Sequence, residues 1–324
     1  MSMSRCLAVL RLLAMGSLAV FGSGCASIYV SSMLPRVDGS AELRLYTASP
    51  SLALHKNGGR IAIEHDHQAA DRLLWKDGTV RFVGRPSPHE SRLLGSLPQP
   101  DVPAEQCGPP GAVRPTSARQ VEGDPIIWCL WRTPDDQSVR IEARQPFADQ
   151  PLFQQVQSGP ELPSRLEPLF GQRALVHRGD RLWLLHARTR AVQLLIDEPA
   201  RLRGATPQGD LLVRVQERTD LLLLRTGQVV SLPGTTLAMG TAADAVWLQE
   251  DGSERLLRID VREGTRTERM PPTGCHKLLG ADLGGHLWFV SQPAEVRRGQ
   301  LVPLCRWDPH GQASDVFMIP TATR

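Results

Sequence analysis

The chain has 324 residues, with 37 lysines and arginines against 34 aspartates and glutamates, a net charge of +3. So small an excess cannot neutralise a run of backbone phosphates, which excludes nucleic acid as a partner class. Hydrophobic residues make up 41 %, yet beyond the first two dozen residues no stretch is apolar enough to span a bilayer.

Arg5 and Arg11 give the chain a positive start, and Leu12 to Phe21 form an apolar run far short of the ~20 residues a membrane helix needs. Gly22, Ser23 and Gly24 are small, and Cys25 follows. This order resembles a bacterial lipoprotein precursor, although Gly22 stands where that family prefers Leu. The resemblance implies cleavage before Cys25 and a lipid on its thiol, so the membrane becomes a partner through that one residue. Gly24-Cys25-Ala26 also reads as an ordinary small-x-small export site. Ala26, rather than Asp, is similar to lipoproteins sent on to the outer membrane, which implies an anchor there facing the periplasm rather than at the inner membrane. On this reading residues 1–24 are a signal peptide, 25–39 a lipidated tether of serine and small residues, and 40–324 the folded body.

The body carries a strand preceded by a small or acidic turn, again and again. Gly179-Asp-Arg-Leu-Trp, Ala243-Asp-Ala-Val-Trp and Gly284-Gly-His-Leu-Trp are the clearest copies. Gly58-Gly-Arg-Ile, Gly123-Asp-Pro-Ile-Ile-Trp and Gly209-Asp-Leu-Leu are weaker ones. Glycine supplies the turn, and the β-branched and aromatic residues after it favour a pleated surface. Asp77-Gly78 and Thr226-Gly227, each between apolar runs, read as hairpin turns. Between Ile61 and Leu287 six units recur with a mean step of about 45 residues, the length of a four-stranded blade. The organisation resembles a β-propeller of about six blades, five to eight being allowed; a β-sandwich or two β domains are the alternatives. The tryptophans, expected on first or third strands, read as blade-to-blade packing residues. Leu162 to Phe170 is the one stretch that reads as a short helix.

Residues 85–125 break the rhythm with nine prolines. Proline and glycine suppress strand pairing, so this segment reads as a long surface insertion. With Cys6 removed and Cys25 acylated, Cys107, Cys129, Cys275 and Cys305 remain. Three pairings are open; proximity favours Cys107 with Cys129 and Cys275 with Cys305. Their spacings are unlike those of metal or redox motifs.

No residue is assigned a catalytic role. The chain has no Gly-x-Ser-x-Gly elbow, phosphate-binding glycine loop or His-Glu-x-x-His motif, and no cofactor is implied. His65 and His67, with Glu64 and Asp71 nearby, would share one strand face as metal ligands require, but two polar residues at a hairpin mouth account for them equally. Asp180, Asp210 and Asp244 recur in the repeat and read as turn caps through bonds to nearby amides, and His286 as an exposed turn residue. Only Lys56, Lys76 and Lys277 are lysines. A functional reading of the arginine bias needs arginines gathered on one surface, and the linear sequence reveals no such cluster. The first expectation is therefore a non-enzymatic, membrane-anchored propeller that binds another envelope protein. Its rivals are a periplasmic hydrolase or lyase with its site in the central channel, and a small-ligand or metal sensor using His65 and His67.

Overall fold

The computed structural model describes residues 27–53, 62–76, 79–84, 93–94, 96–108, 115–132, 137–159, 161–242, 244–251, 253–290, 296–297, 301–311 and 314–320. They form six antiparallel sheets in chain order, a six-bladed β-propeller. Blade 1 holds β1 (Ser27–Pro35), β2 (Ala41–Ala53), β3 (Ala62–Lys76) and β4 (Thr79–Gly84). Blade 2 holds β5 (Ser117–Gln120), β6 (Ile127–Arg132), β7 (Ser138–Arg144) and β8 (Phe153–Ser158). Blade 3 holds β9 (Pro163–Leu169), β10 (Arg173–Arg178), β11 (Arg181–His186) and β12 (Ala191–Ile196). Blade 4 holds β13 (Ala200–Ala205), β14 (Leu211–Val215), β15 (Arg218–Leu223) and β16 (Gln228–Leu232), and blade 5 holds β17 (Thr236–Ala242), β18 (Ala245–Glu250), β19 (Leu256–Asp260) and β20 (Arg266–Arg269). In blade 6, β21 (Lys277–Ala281) and β22 (Leu287–Val290) are followed by β23 (Val296–Arg297), which crosses to pair with β1. The blade then finishes with β24 (Leu301–Trp307) and β25 (Ser314–Pro320).

The core lies between blades, because one sheet cannot bury both of its faces alone. Ile126, Trp128, Ile141 and Phe153 of blade 2 share a cluster with Leu166, Ala174 and Val176 of blade 3. Between blades 5 and 6, Trp247 meets Trp307 edge to face, with ring centroids 5.5 Å apart. Trp128, Trp183, Trp247 and Trp307 pack between blades as expected, but from second and third strands, and no tryptophan sits on a first strand. Burial fades outward, and all four residues of β20 are exposed.

First strands line the axis, and from blade 4 round to blade 1 they nearly touch. A Cβ on Gly204 of β13 would come 3.0 Å from Met239 Sδ of β17. One on Gly240 of β17 would come 2.8 Å from the Ala281 Cβ of β21, and one on Gly280 of β21 would come 2.8 Å from the Met33 carbonyl oxygen of β1. Only glycine lets the strands approach this closely. Contacts at matching heights also mean that first strands run in the same direction round the ring.

Residues 93–101 fill the axis on the other side. Leu94 pairs in parallel with the free inner edge of β13: its amide donates to Arg203 O (3.0 Å) and its carbonyl accepts from Ala205 N (2.9 Å). Gln99 Nε2 donates to Pro168 O of β9 at 2.8 Å. Pro98 and Pro100 carbonyls then accept from Glu122 and Gln120 beside β5, and Asp101 pairs with Arg119. Leu93, Ser96, Leu97 and Gln99 are buried. This part of the proline-rich segment is not a surface insertion. Prolines lack a donor, but an added strand edge can be held through carbonyls and through the partner's amides, and three leucines supply the burial.

Other expectations also change. Ser27–Pro35 is the first strand of blade 1, so the expected tether at 25–39 is largely part of the fold. Leu162–Phe170 is β9 rather than a helix; Pro163 and Pro168 fit an inner edge strand whose free side needs few donors. Arg181–Leu185 falls on the third strand of blade 3, whereas Ala245–Leu248 and Leu287–Val290 are second strands, so the repeat copies were one strand out of step. Gly58–Ile61 lies outside the described residues. Disulfides join Cys107 to Cys129 and Cys275 to Cys305, with Cα atoms 6.1 and 5.4 Å apart.

Candidate functional site

A cleft of about 770 Å³ opens at the end of the ring where the first strands begin. Arg165, His177 and Asp180 of blade 3 and Arg201, Arg203 and Arg214 of blade 4 line it. Strand pairing assembles this group. Arg165 on β9 lies directly opposite His177 on β10, and Arg201 on β13 directly opposite Arg214 on β14. Directly paired residues on antiparallel strands project from the same face, so each blade brings two cationic or basic groups together.

The charges are only partly compensated. Arg165 is paired with the buried Glu167, which Arg119 also approaches at 3.8 Å. Arg214 reaches Glu217 at 3.3 Å, but that carboxylate is almost wholly in water. Among the described residues Arg201 and Arg203 have no acidic partner, and Asp180 is the one carboxylate in the lining. Burial, and then the charge of Arg165, hold His177 below the usual imidazole range. It is therefore neutral near pH 7, with ring nitrogens free to accept or donate.

No known protein family and no curated protein matches the chain's sequence. Solved structures do resemble it in shape. PorZ, a surface component of the type IX secretion system of Porphyromonas gingivalis, is 11 % identical, with a TM-score of 0.41 over 92 % of this chain. This chain spans 46 % of that protein's length. KlHsv2 with loop 6CD replaced by a Gly-Ser linker is 9 % identical, with a TM-score of 0.39 over 90 % of this chain and 98 % of its own. The Cps50 (Swd1) β-propeller domain of Myceliophthora thermophila is 12 % identical, with a TM-score of 0.32 over 92 % and 98 %. Identities this low speak only to architecture.

The other expected site residues are scattered. Cys25 lies outside the described residues. His65 falls on β3 opposite Pro50, where β2 and β3 run on past β1 and β4 as a two-stranded ribbon, and His67 lies opposite Ala48 at the last rung that β1 still shares. Their side chains lie outside the described set, and no group of three potential metal ligands converges among the described residues. Asp210 is buried and accepts from Arg225 at 2.5 Å, and Asp244 meets Arg258 at 3.3 Å, so both hold arginines rather than cap amides. Asp180 belongs to the β10–β11 turn and faces the cleft. Amide capping is instead done by Asp124, Asp260, Asp282 and Asp308. His286 is half-buried, its Nδ1 3.2 Å from Asp282 and 2.8 Å from Arg306. The cleft itself was missed because its arginines come from three strands. Arg201-Leu-Arg203, an alternation on one strand, was the available signal.

Proposed function

We propose that this chain is a non-enzymatic binding propeller of the bacterial envelope, tethered by lipid on Cys25 and offering its surface to a partner protein. One observation carries the reading: the axis, where a propeller enzyme would place its site, is occupied by the protein's own residues 93–101. Leu93, Leu94 and Leu97 pack there and backbone bonds hold them, so recognition is assigned to surfaces away from the axis, the mouth and the β2–β3 ribbon among them. The lipoprotein-like residues around Cys25 support the anchoring and, through Ala26, the outer membrane as its place. A single residue separates Cys25 from β1, so a lipid there keeps the start of that strand within about 7 Å of chain from the acylated cysteine. First strands are parallel, so the cleft and ribbon would then face the membrane.

Two measurements test this. Cys25→Ser should move the protein from the membrane pellet to the soluble fraction; retention in the pellet overturns the anchor. A photo-crosslinking residue at Ser51 on the ribbon or Arg203 at the mouth should trap a partner that the same probe at Gln193, on an outermost strand, does not. Equal trapping at all three positions, or none, removes the binding reading.

A further inference from the structure

Arg201 and Arg214 oppose each other across one rung, with Arg203 exposed further along the same strand. Like charges placed directly opposite on paired strands are destabilising. The described residues do not neutralise them, since Glu217 is nearly all in water and Arg201 and Arg203 have no acid at all. Such a cluster favours an anion that can bridge the guanidiniums. We propose that the cleft binds a phosphate monoester on a hydroxyl-bearing carrier, a sugar phosphate that is either soluble or the headgroup of a lipid.

The charge count selects the anion. A phosphate monoester carries about −1.5 to −2 near pH 7 and can engage both unpaired guanidiniums of blade 4, whereas one carboxylate leaves half of their charge standing; Asp180, the one carboxylate in the lining, stands across the cleft on blade 3. Guanidinium forks also fit phosphate oxygens two at a time. The cleft, about 770 Å³, is far larger than a bare phosphate and falls within the range of small-molecule sites. Ser164, Gln216, His177 and Asp180 line the remainder and supply donors and acceptors suited to hydroxyls. The loops around the mouth carry Glu161, Asp197, Glu198 and Glu217. Asp197 is paired with Arg181 and Glu198 with Arg218, so Glu161 and the nearly fully exposed Glu217 would repel a flat anionic surface while a slender phosphate-bearing group passes between them. The proposal deepens the binding reading by naming a ligand for the mouth, and it does not depend on which protein the propeller meets.

Calorimetric titration tests it, using the purified full chain made soluble by Cys25→Ser. Glucose 1-phosphate should bind saturably and more tightly than inorganic phosphate, and glucose should not bind. Arg201→Gln combined with Arg203→Gln should weaken binding at least about tenfold while leaving the melting temperature unchanged or raised, because it relieves the repulsion with Arg214. Phosphatidylcholine vesicles, with and without monophosphoryl lipid A, whose headgroup is a phosphorylated glucosamine disaccharide with free hydroxyls, form a second arm. Binding only to those with monophosphoryl lipid A assigns the phosphate to a lipid headgroup; binding only to glucose 1-phosphate assigns it to a soluble ligand. The proposal is overturned if neither binds, if polyglutamate alone binds, or if the double variant binds as the parent does. Crosslinking at Arg203 can fail while these titrations succeed, so the two readings fail separately.

Discussion

The axis of this propeller is closed in two ways. From blade 5 round to blade 1, first strands pack backbone against backbone through Gly240 and Gly280, while Gly204 of blade 4 meets both Leu94 of the inserted segment and the Met239 side chain of blade 5. From blade 2 to blade 4 the free inner edges are joined instead by residues 93–101, with a third leucine-rich strand edge standing in for direct contact. One half is held by what the side chains lack, the other by what an extra segment brings. The comparison teaches that a ring of unequal blades need not be regular to be closed, provided every inner edge finds a partner.

Four changes would break or sharpen that contrast. Gly280→Val strikes the glycine side, where even a Cβ would meet the Met33 carbonyl. It should destabilise the protein by about 3 kcal/mol or more, read from denaturant unfolding, and a parental midpoint would deny that the approach is tight. Cys107→Ser with Cys129→Ser strikes the inserted side, since that disulfide holds the segment following residue 101 to β6. A closed loop of this size contributes about 3 kcal/mol, so the loss should be nearly as large and should open residues 93–101 to amide exchange first. Gln99→Ala removes one bond from the inserted segment to β9 and should cost about 1–2 kcal/mol, with exchange raised locally rather than throughout the ring.

The smallest effect is set by pH and belongs to the glycine side. Burial alone would raise the Asp282 carboxyl, but the His286 amide, the Trp288 indole and the charges of His286 and Arg306 together hold it below the usual range. A depressed carboxylate stabilises the fold in full above its unfolded value, about 3.9, and loses that contribution as pH falls through the lower folded value. Thermal melts should therefore show Asp282→Asn converging on the parent as pH drops below about 4. A constant gap between the two across that range would mean that the carboxylate's charge is irrelevant.

Much of the architecture was legible in the sequence because it rests on local chemistry. Glycine-led turns followed by β-branched and aromatic runs give both the strand content and the count of six, and chain proximity was enough to pair Cys107 with Cys129 and Cys275 with Cys305. What stayed hidden depends on distant partners. Residues 93–101 look like a loop because proline dominates local rules, while their burial comes from β5, β9 and β13, which lie later in the chain. The repeat slipped by one strand because Trp183 on a third strand and Trp247 on a second both pack into inter-blade apolar clusters. Beyond the Arg201-Leu-Arg203 alternation the basic cleft was hidden for a related reason, since Arg165, Arg201 and Arg214 lie on three strands and meet only through strand pairing and the packing of blades 3 and 4.

The inserted segment also sets an order of events. Residues 93–101 leave the ribosome after blade 1 and before any of blades 2 to 4, whose inner edges they hold. A hub is thus present before its spokes, and each new blade can dock on a waiting edge as it is made, without searching for a distant one. A circular permutant opened between residue 101 and β5 would deliver the hub only after blades 2 to 4, and it should fold more slowly as it is made even where its final stability is unchanged.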